Sequence, residues 1–364
     1  MSTRYYTLDH WRGLACLMVV VSHSLGPAVW RGTIGVVPPL GRMGVGIFFA
    51  ISGYCIAAAV DSSRKKEHSF GHFMFRRFRR IFPPYWAALL LMLTLHLAQQ
   101  GMPKVWPSHW MVLGNLTLTE SWRYLVVGPS ESQMFLTQAW TLCHEEQFYL
   151  TCGLLLLLPQ RAFLSIVIGL CGLTVGVIVA DRVGLVDLTG VVFAGTWLSF
   201  APGVFVFHAL HSKSRWEVWA SRAGILLAVI GGCAIWNESV GIASGCFFSA
   251  VMLGLHRFDK SIAGMQSLTW LYRCGVASYS LYLTHTIVCD PVQRWLREHG
   301  LSSPAERLLI VVPICVAGSL LLAWPFHVFI ERRFMPAAKP VGSQADDGEH
   351  KHRSEVVSVQ TVAS

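Results

Sequence analysis

The sequence predicts an all-α integral membrane protein, a polytopic bundle of about ten transmembrane helices with both termini in the cytoplasm. Three observations predict this fold class. Of the 364 residues, 53% are hydrophobic and only 13% are charged, with a mean hydropathy of +0.49, whereas a soluble domain has about 25% charged residues. Apolar runs long enough to cross a bilayer recur along the whole chain. Lysine and arginine concentrate in alternate loops.

Ten segments have the length and apolar character of a membrane-spanning helix, which needs about 20 mostly apolar residues. The seventh and eighth are short, and we expect them to form tilted partners or a re-entrant pair. Residues 108–120 are apolar but short and flanked by polar residues, which favours an interfacial segment. The predicted spans are residues 11–30, 40–60, 83–100, 135–158, 162–180, 190–210, 223–238, 241–256, 270–290 and 305–330.

The distribution of basic residues predicts the orientation of the chain. With the N-terminus in the cytoplasm, 21 of the 29 lysines and arginines fall on the cytoplasmic side, as the positive-inside rule requires. The net charge of +9 then follows from topology and anionic lipid, without a nucleic-acid partner. The first span has no clean cleavage site, so we expect it to be uncleaved. Residues 5–335 are predicted to form the transmembrane domain and residues 336–364 a disordered cytoplasmic tail.

The ten cysteines are scattered, mostly inside apolar runs, with no Cys-x-x-Cys pair. This distribution is typical of small apolar fillers. We therefore expect neither a disulfide framework nor a metal site.

The first predicted span carries two ionisable residues, Arg12 and His23. They are eleven residues apart. Over eleven residues an α-helix makes about three full turns and rises about 16 Å, so both side chains lie on one face. An ionisable group inside a bilayer costs roughly 3 kcal/mol on insertion scales and is usually functional. A positive-inside anchor would explain Arg12 alone, and an interhelical hydrogen bond would explain His23 alone. The shared face favours a joint role.

Four arginines lie within residues 76–80, directly before the third predicted span. Arg77 and Arg80, three positions apart, present two guanidinium groups on one side of a helix, and guanidinium groups bind phosphates well. The pattern indicates a phosphate-bearing substrate on the cytoplasmic side. Topology alone, with Pro83 and Pro84 starting the span, would also explain the charges.

The fourth predicted span contains four consecutive polar residues, His144 to Gln147. Four polar residues in a row cover most of the circumference of a helix, so they cannot all face lipid at low cost. We expect some of these four residues to line a polar cavity, and a purely structural polar cluster is the alternative.

Two further segments carry polar groups within apolar surroundings. Ser278, Tyr279, Tyr282 and His285 form a stripe at helical spacing in the ninth span, for which core packing and substrate contact are both open. Glu331 ends the last span near the cytoplasm, where we expect an ion pair with a neighbouring arginine.

Together these segments resemble the acyltransferase-3 family of multi-pass membrane acyltransferases. The resemblance runs from about Tyr5 to Phe334 and rests on "LDHWRGLACLMVVVSH", "GVGIFFAISGYCI", "RRFRRIFPPYW", "AWTLCHEEQFYL", "SYSLYLTH" and "FIERRF". Each segment alone is weak evidence, but six in order at matching membrane positions are specific. The resemblance implies that residues 5–335 form a transmembrane acyltransferase domain in the plasma membrane, the inner membrane of a bacterium.

The resemblance also implies roles for individual residues. By position, the catalytic residues are His23, Glu145 and Glu146, and the residues that bind the acyl donor are Arg12, Arg77 and Arg80. His23 would take the proton of an acceptor hydroxyl as general base, and Glu145, or second Glu146, would stabilise the imidazolium. His144 beside Glu145 leaves open which histidine–carboxylate pair acts. A covalent acyl group on His23 also stays open.

The implied reaction moves an acyl group, often acetyl, from cytoplasmic acyl-coenzyme A to a hydroxyl. The acceptor is typically a carbohydrate, either a cell-surface or exported glycan or its lipid-linked precursor. We expect acyl-coenzyme A as co-substrate, no permanently bound cofactor, and membrane lipid as the surrounding partner. A proton-coupled transporter of a small polar solute is the alternative, since intramembrane His, Glu and Arg also serve proton relays. The sequence shows no internal repeat that would favour it. A non-catalytic subunit of a glycan-export complex is the third possibility.

Overall fold

The protein folds into a bundle of helices. The computed structural model describes residues 5–29, 37–100, 107–122, 134–185, 195–298 and 303–335, and within these ranges the chain forms helices and turns without a strand. The all-α prediction is confirmed, and the predicted disordered tail lies outside the described residues. The helices are α1 (Leu8–Val29), α2 (Val37–Lys65), α3 (Phe70–Gln100), α4 (His109–Leu116), α5 (Trp140–Leu154), α6 (Gln160–Arg182), α7 (Trp197–His211), α8 (Arg215–Ala234), α9 (Val240–Leu255), α10 (Asp259–Ala263), α11 (Thr269–Val276), α12 (Ser278–Glu298) and α13 (Arg307–Phe334).

Nine of the ten predicted spans each overlap one of these helices, and the remaining one, residues 270–290, overlaps both α11 and α12. Six helical stretches in the described ranges are long and apolar enough to cross a membrane: Leu40–Lys65, Phe70–Ala98, Gln160–Arg182, Arg215–Ala234, Val240–Ala263 and Arg307–Phe334. The protein is therefore an integral membrane protein. Two of the remaining spans, α5 and α7, have only 15 residues each, a rise of about 22 Å.

Two predicted boundaries were wrong. The ninth span was expected over 270–290, but the helix breaks at Ala277 and α12 starts at Ser278. The break lets α11 lie along the start of α1, where Gly275 sits so close to the backbone of Asp9 that a Cβ would overlap it. The third span was expected to start at Pro83, but α3 starts thirteen residues earlier at Phe70 and continues through Pro83 and Pro84.

The core of the bundle is α7, which is buried on all sides. Eleven of its 15 residues are buried, and it packs against α2, α6, α8 and α9. The contact with α2 is made by glycines, since a Cβ on Gly203 would overlap the carbonyl oxygen of Ala50 and one on Gly53 would overlap that of Phe200. Such small residues let two backbones approach closely where no side chain intervenes. The two short predicted spans become α8 and α9, which pack against α7 and against each other.

The direction of the helices decides which residues can meet. The helices α1 and α12 run in the same direction, because Cys16 near the start of α1 contacts Ser278 and Ser24 near its end contacts Cys289. Their neighbours α2 and α13 run the opposite way. These relative directions agree with a chain that alternates from one side of the membrane to the other. Which end faces the cytoplasm stays a prediction from the charge distribution.

The segment predicted to be interfacial forms the short helix α4, which is fastened to α3 by side chains. The hydroxyl of Tyr85 donates to the carbonyl of Asn115 at 2.7 Å, and the indole of Trp86 donates to that of Leu116 at 2.8 Å. These bonds satisfy carbonyl groups at the end of α4 that have no partner within the helix.

We expect Gly203→Ala to lower the melting temperature by several degrees, because the added methyl group must push α7 away from α2, and overpacking costs about 1–3 kcal/mol. Gly172→Ala is the matched control, since no atom lies within 4 Å of a Cβ at that position. Thermal unfolding of both variants in the same detergent measures the difference. Equal melting temperatures would show that the glycine contact carries no packing constraint.

Candidate active site

A small polar cavity lies where five helices meet. Its volume is about 100 Å³, enough for a few water molecules or an acetyl-sized group. Four of the six residues proposed from the sequence line it. The lining residues are Arg12 of α1; Val45, Phe48, Phe49, Ser52 and Cys55 of α2; Arg77, Arg80 and Ile81 of α3; Thr141, Leu142, Glu145 and Tyr149 of α5; and Ser278, Tyr279 and Tyr282 of α12.

The arginine cluster divides between the cavity and the outside of α3. Arg77 and Arg80 line the cavity, whereas Arg76 and Arg79 are exposed. The spacing of three places the inner pair on one helical face, as predicted. The guanidinium carbon of Arg77 lies 4.9 Å from the ring centre of Tyr149 and 5.7 Å from that of Phe73, so cation–π contacts hold this side chain in place. The cavity therefore contains two fixed positive charges.

Glu145 accepts two short hydrogen bonds on one carboxylate oxygen. The hydroxyls of Ser52 and Tyr149 each donate to Oε1 at 2.6 Å. The second predicted carboxylate, Glu146, interacts electrostatically with Arg77 and Glu145, and its buried Oε1 has no hydrogen-bond partner in the described residues. The two carboxylates and the two arginines thus form one charged cluster.

Arg12 joins this cluster from α1. Its Nη1 donates to Oδ1 of Asp9 at 2.9 Å, and its Nη2 donates to the Sγ of Cys55 at 3.1 Å. The aspartate fixes one side of the guanidinium group, so the other side faces the cavity. Three arginines on two helices therefore converge on one space.

His23 is not among the residues that line the cavity. Its ring makes a T-shaped contact with His285 of α12, with ring centres 4.9 Å apart, and Asp290 interacts with it electrostatically. The Nδ1 of His285 lies 2.7 Å from the carbonyl oxygen of Tyr282. Because a carbonyl only accepts, this Nδ1 carries the proton. The buried Nε2 of His285 has no partner in the described residues.

Tyr282 connects the cavity with the histidine pair. It lines the cavity, and its ring centre lies 5.8 Å from that of His285. Its hydroxyl donates to the carbonyl of Gln138 at 3.1 Å and pairs with Thr141 at 2.7 Å. The helices α1 and α12 run in the same direction. Along α1 the chain passes from Arg12 at the cavity to His23, and along α12 it passes from Tyr282 at the cavity to His285.

His144 and Glu331 lie outside the cavity and have partners that the sequence did not predict. His144 donates from Nδ1 to the carbonyl of Trp140 at 2.8 Å and does not line the cavity. Glu331 was expected to pair with an arginine, but it accepts from Ser280 at 2.6 Å and lies 2.7 Å from Nδ1 of His327. In the π-helical segment His327–Glu331 this carboxylate is buried and contacts α12, so it does not pair with the exposed arginines that follow it.

No sequence pattern distinguished Ser52 or Asp290 in advance, Tyr149 was not predicted as a site residue, and His285 stood open between packing and function. A signal was present for Tyr149, which follows Glu145 by one helical turn. All ten cysteines are free. In the described part of the chain, no three His, Cys, Asp or Glu side chains converge as metal ligands would.

The comparison with known families decides the identity. A family model described as an acyltransferase domain matches residues 5–327. The chain belongs to the acyltransferase-3 family. As a member of this acyltransferase family it is an enzyme that transfers acyl groups. It is 27% identical over 301 residues to the exopolysaccharide production protein ExoZ of Rhizobium meliloti (strain 1021). The matched region covers 79% of this chain and 89% of that protein. No solved structure matches significantly.

We expect Tyr149→Phe and Glu145→Gln each to destabilise this acyltransferase by about 1–3 kcal/mol, because the first removes one of the two hydroxyls that donate to the carboxylate and the second replaces a charged acceptor by a weaker neutral one. The double variant should lose less than the sum, with a coupling of about 0.5–3 kcal/mol. Denaturant unfolding in mixed micelles measures all three variants. Tyr272→Phe is the control, since Tyr272 lies 41% exposed on α11 and should be additive with Glu145→Gln. Additivity at Tyr149 would contradict the described hydrogen bond.

Proposed function

We propose that the protein is an O-acyltransferase of the plasma membrane, the inner membrane of a bacterium. It moves an acyl group, acetyl in the first instance, from cytoplasmic acyl-coenzyme A to a hydroxyl of a carbohydrate. The acceptor is a cell-surface or exported glycan or its lipid-linked precursor. The observation that carries this proposal is the convergence of Arg12, Arg77 and Arg80 on one cavity, from which two parallel helices lead to the histidine pair. The name of the relative, an exopolysaccharide production protein, supports a glycan acceptor.

The proposed topology has ten spans with both termini in the cytoplasm. It places the arginine-lined cavity towards the cytoplasm and His23 beyond the middle of the membrane. The opposite directions of successive spans support this arrangement. The donor then enters from the side on which acyl-coenzyme A is made, and the acceptor approaches from the other side.

The donor is held by charge. Arg77 and Arg80 bind phosphate groups of coenzyme A, and Arg12 binds beside them, since guanidinium groups form charge-assisted bonds to phosphate oxygens. The rise of about 16 Å between Arg12 and His23 is a distance that the extended thioester arm can cover. The cavity volume of about 100 Å³ supports a short acyl group. Acyl-coenzyme A acts as co-substrate, and the proposal needs no permanently bound cofactor.

In the proposed reaction, His23 takes the proton from the acceptor hydroxyl while its oxygen attacks the thioester carbonyl carbon. The carbon–oxygen bond forms, the carbon–sulfur bond breaks, and the imidazolium returns the proton to the leaving thiolate. Coenzyme A and the acylated sugar are the products.

Two sets of groups are candidates to stabilise the imidazolium of His23. Glu145, with Glu146 second, stays the prediction from the sequence, although the described hydrogen bonds of Glu145 go to Ser52 and Tyr149. His285 and Asp290 lie beside His23 in the described structure. We therefore add His285 as the residue that positions the ring of His23.

We expect His23→Ala to reduce acyl transfer by at least about a hundredfold, the usual contribution of a general base, without preventing membrane insertion. Turnover of acetyl-coenzyme A by the purified protein in lipid, with glycan acceptor, measures this loss. His96→Ala is the control, because His96 is an exposed histidine on α3. Near-normal turnover by the His23 variant would remove the assignment.

We expect Arg77→Ala and Arg80→Ala each to raise the KM for acyl-coenzyme A by roughly 10- to 100-fold, the loss that follows from one charge-assisted phosphate contact. The neighbouring variants Arg76→Ala and Arg79→Ala carry the same charge change on the exposed side of α3 and should leave the KM unchanged. Initial rates at varied donor concentration distinguish the two pairs. If all four behave alike, the inner pair does not bind phosphate.

A further inference from the structure

A second cavity lies at the opposite end of α12 from the arginine cluster. It is a groove of about 430 Å³ between the last two turns of α12 and the start of α13, within the size range of small-molecule sites. Its walls are mainly apolar, with Val292, Trp295 and Leu296 on one side and Ile310 and Ile314 on the other. We name it the α12–α13 groove. Nothing in the reaction described above uses it.

The groove opens towards lipid. Trp295 is 52% exposed, Ile310 50% and Ile314 52%, and in a membrane protein such exposed apolar side chains face the bilayer. Tryptophan is also enriched where the bilayer meets water. A hydrocarbon chain can therefore enter the groove sideways from the membrane.

The groove is connected to the segment that carries His23 through neighbouring residues of α12 and α13. Its first residue, Pro291, directly follows Asp290, which interacts with His23. The carbonyl groups of Ser24 and Leu25, the next residues on α1, accept from Gln293 and from Arg307 of the groove. A molecule in the groove would therefore have one end next to the stretch of α1 that follows His23.

A buried cation lies at this inner end. Arg307 is only 4% exposed, and its Nη1 makes both described hydrogen bonds, to the carbonyl of Leu25 at 3.0 Å and to Oε1 of Gln293 at 3.3 Å. Its Nε has no hydrogen-bond partner among the residues that the structure describes. In the described ranges no carboxylate forms an ion pair with it, and the nearby Glu306 accepts from the amide of Ser303.

Such an arginine is costly in an apolar setting unless an anion completes it. A phosphate ester provides oxygens in the geometry that a guanidinium group prefers. The occupant that matches both the groove and the arginine is a long hydrocarbon chain that carries a phosphate at one end and, beyond it, a sugar.

We propose that the α12–α13 groove binds the lipid of a prenyl-phosphate-linked glycan, with the lipid phosphate on Arg307 and the attached sugar next to His23. This proposal rests on the proposed function and narrows its acceptor to the lipid-linked form. The phosphate fixes the depth of the lipid in the membrane, so the sugar hydroxyls are presented to the histidine.

The test is binding by the full chain in nanodiscs, measured by native mass spectrometry with a polyprenyl phosphate and with the polyprenol of the same chain length. We expect the phosphate to bind at least about tenfold more tightly, the advantage of one charge-assisted contact. Arg307→Gln should abolish this preference. Equal binding of phosphate and alcohol to the unmodified protein would overturn the proposal. Equally strong competition by phosphatidylglycerol would overturn it too, in favour of a general anionic-lipid site.

Two further variants guard against misfolding of the Arg307 variant. Ile310→Trp fills the groove and should weaken binding of the polyprenyl phosphate several-fold. Leu321→Trp adds the same ring to a 76% exposed position of α13 outside the groove and should leave binding unchanged. Identical binding by both would contradict the proposed location.

Binding needs no acyl donor, so the result is independent of the reaction. If acyl-coenzyme A is not turned over but the polyprenyl phosphate still binds through Arg307, the proposed function fails and the groove stands. If acyl groups are transferred to a soluble glycan while the phosphate gives no advantage in binding, the groove proposal fails alone.

Discussion

The contact between α1 and α12 is the interaction on which the proposed chemistry depends. It joins two helices that run in the same direction, so Arg12 and Tyr282 lie near the cavity while His23 and His285 lie further along. Charged and polar groups cost several kcal/mol when they face lipid. Across this contact His285 is fully buried whereas His23 is exposed, so the proposed path from the donor to His23 runs along the contact between α1 and α12.

One face of α2 packs tightly against α7 and α9, and another face lines the polar cavity. Gly46 and Gly53 meet the backbones of α9 and α7 so closely that no Cβ fits. Ser52 and Cys55 lie about a quarter turn or more around α2 from these glycines and point into the cavity. There Ser52 donates a hydrogen bond to Glu145, and Cys55 accepts one from Arg12. Tight packing on one face gives the polar face a fixed position, which a preorganised site requires.

The sequence predicted the helical class, the approximate positions of the long helices and the common face of the two inner arginines, because periodicity and charge act locally. The spacing of Arg77 and Arg80 alone placed both on one face. It did not predict the break at Ala277, which depends on the contact of Gly275 with Asp9, over 260 residues away in sequence. The partners of Glu145, His23 and Glu331 were missed for the same reason, since each depends on how separate helices align. A single sequence carries no record of that alignment.

The contact between α1 and α12 joins two parts of the chain that are synthesised far apart in time. The residues of α1 and α12 that touch lie about 262 positions apart. At a synthesis rate of about 5–20 residues per second, α1 is made tens of seconds before its partner. Through that interval His23 has no α12 to pack against, and its polar face must be covered by α2, by the insertion machinery or by water. The proposed acyl-transfer centre is thus one of the last parts of the molecule to assemble, since a chain without α12 lacks the partner of His23.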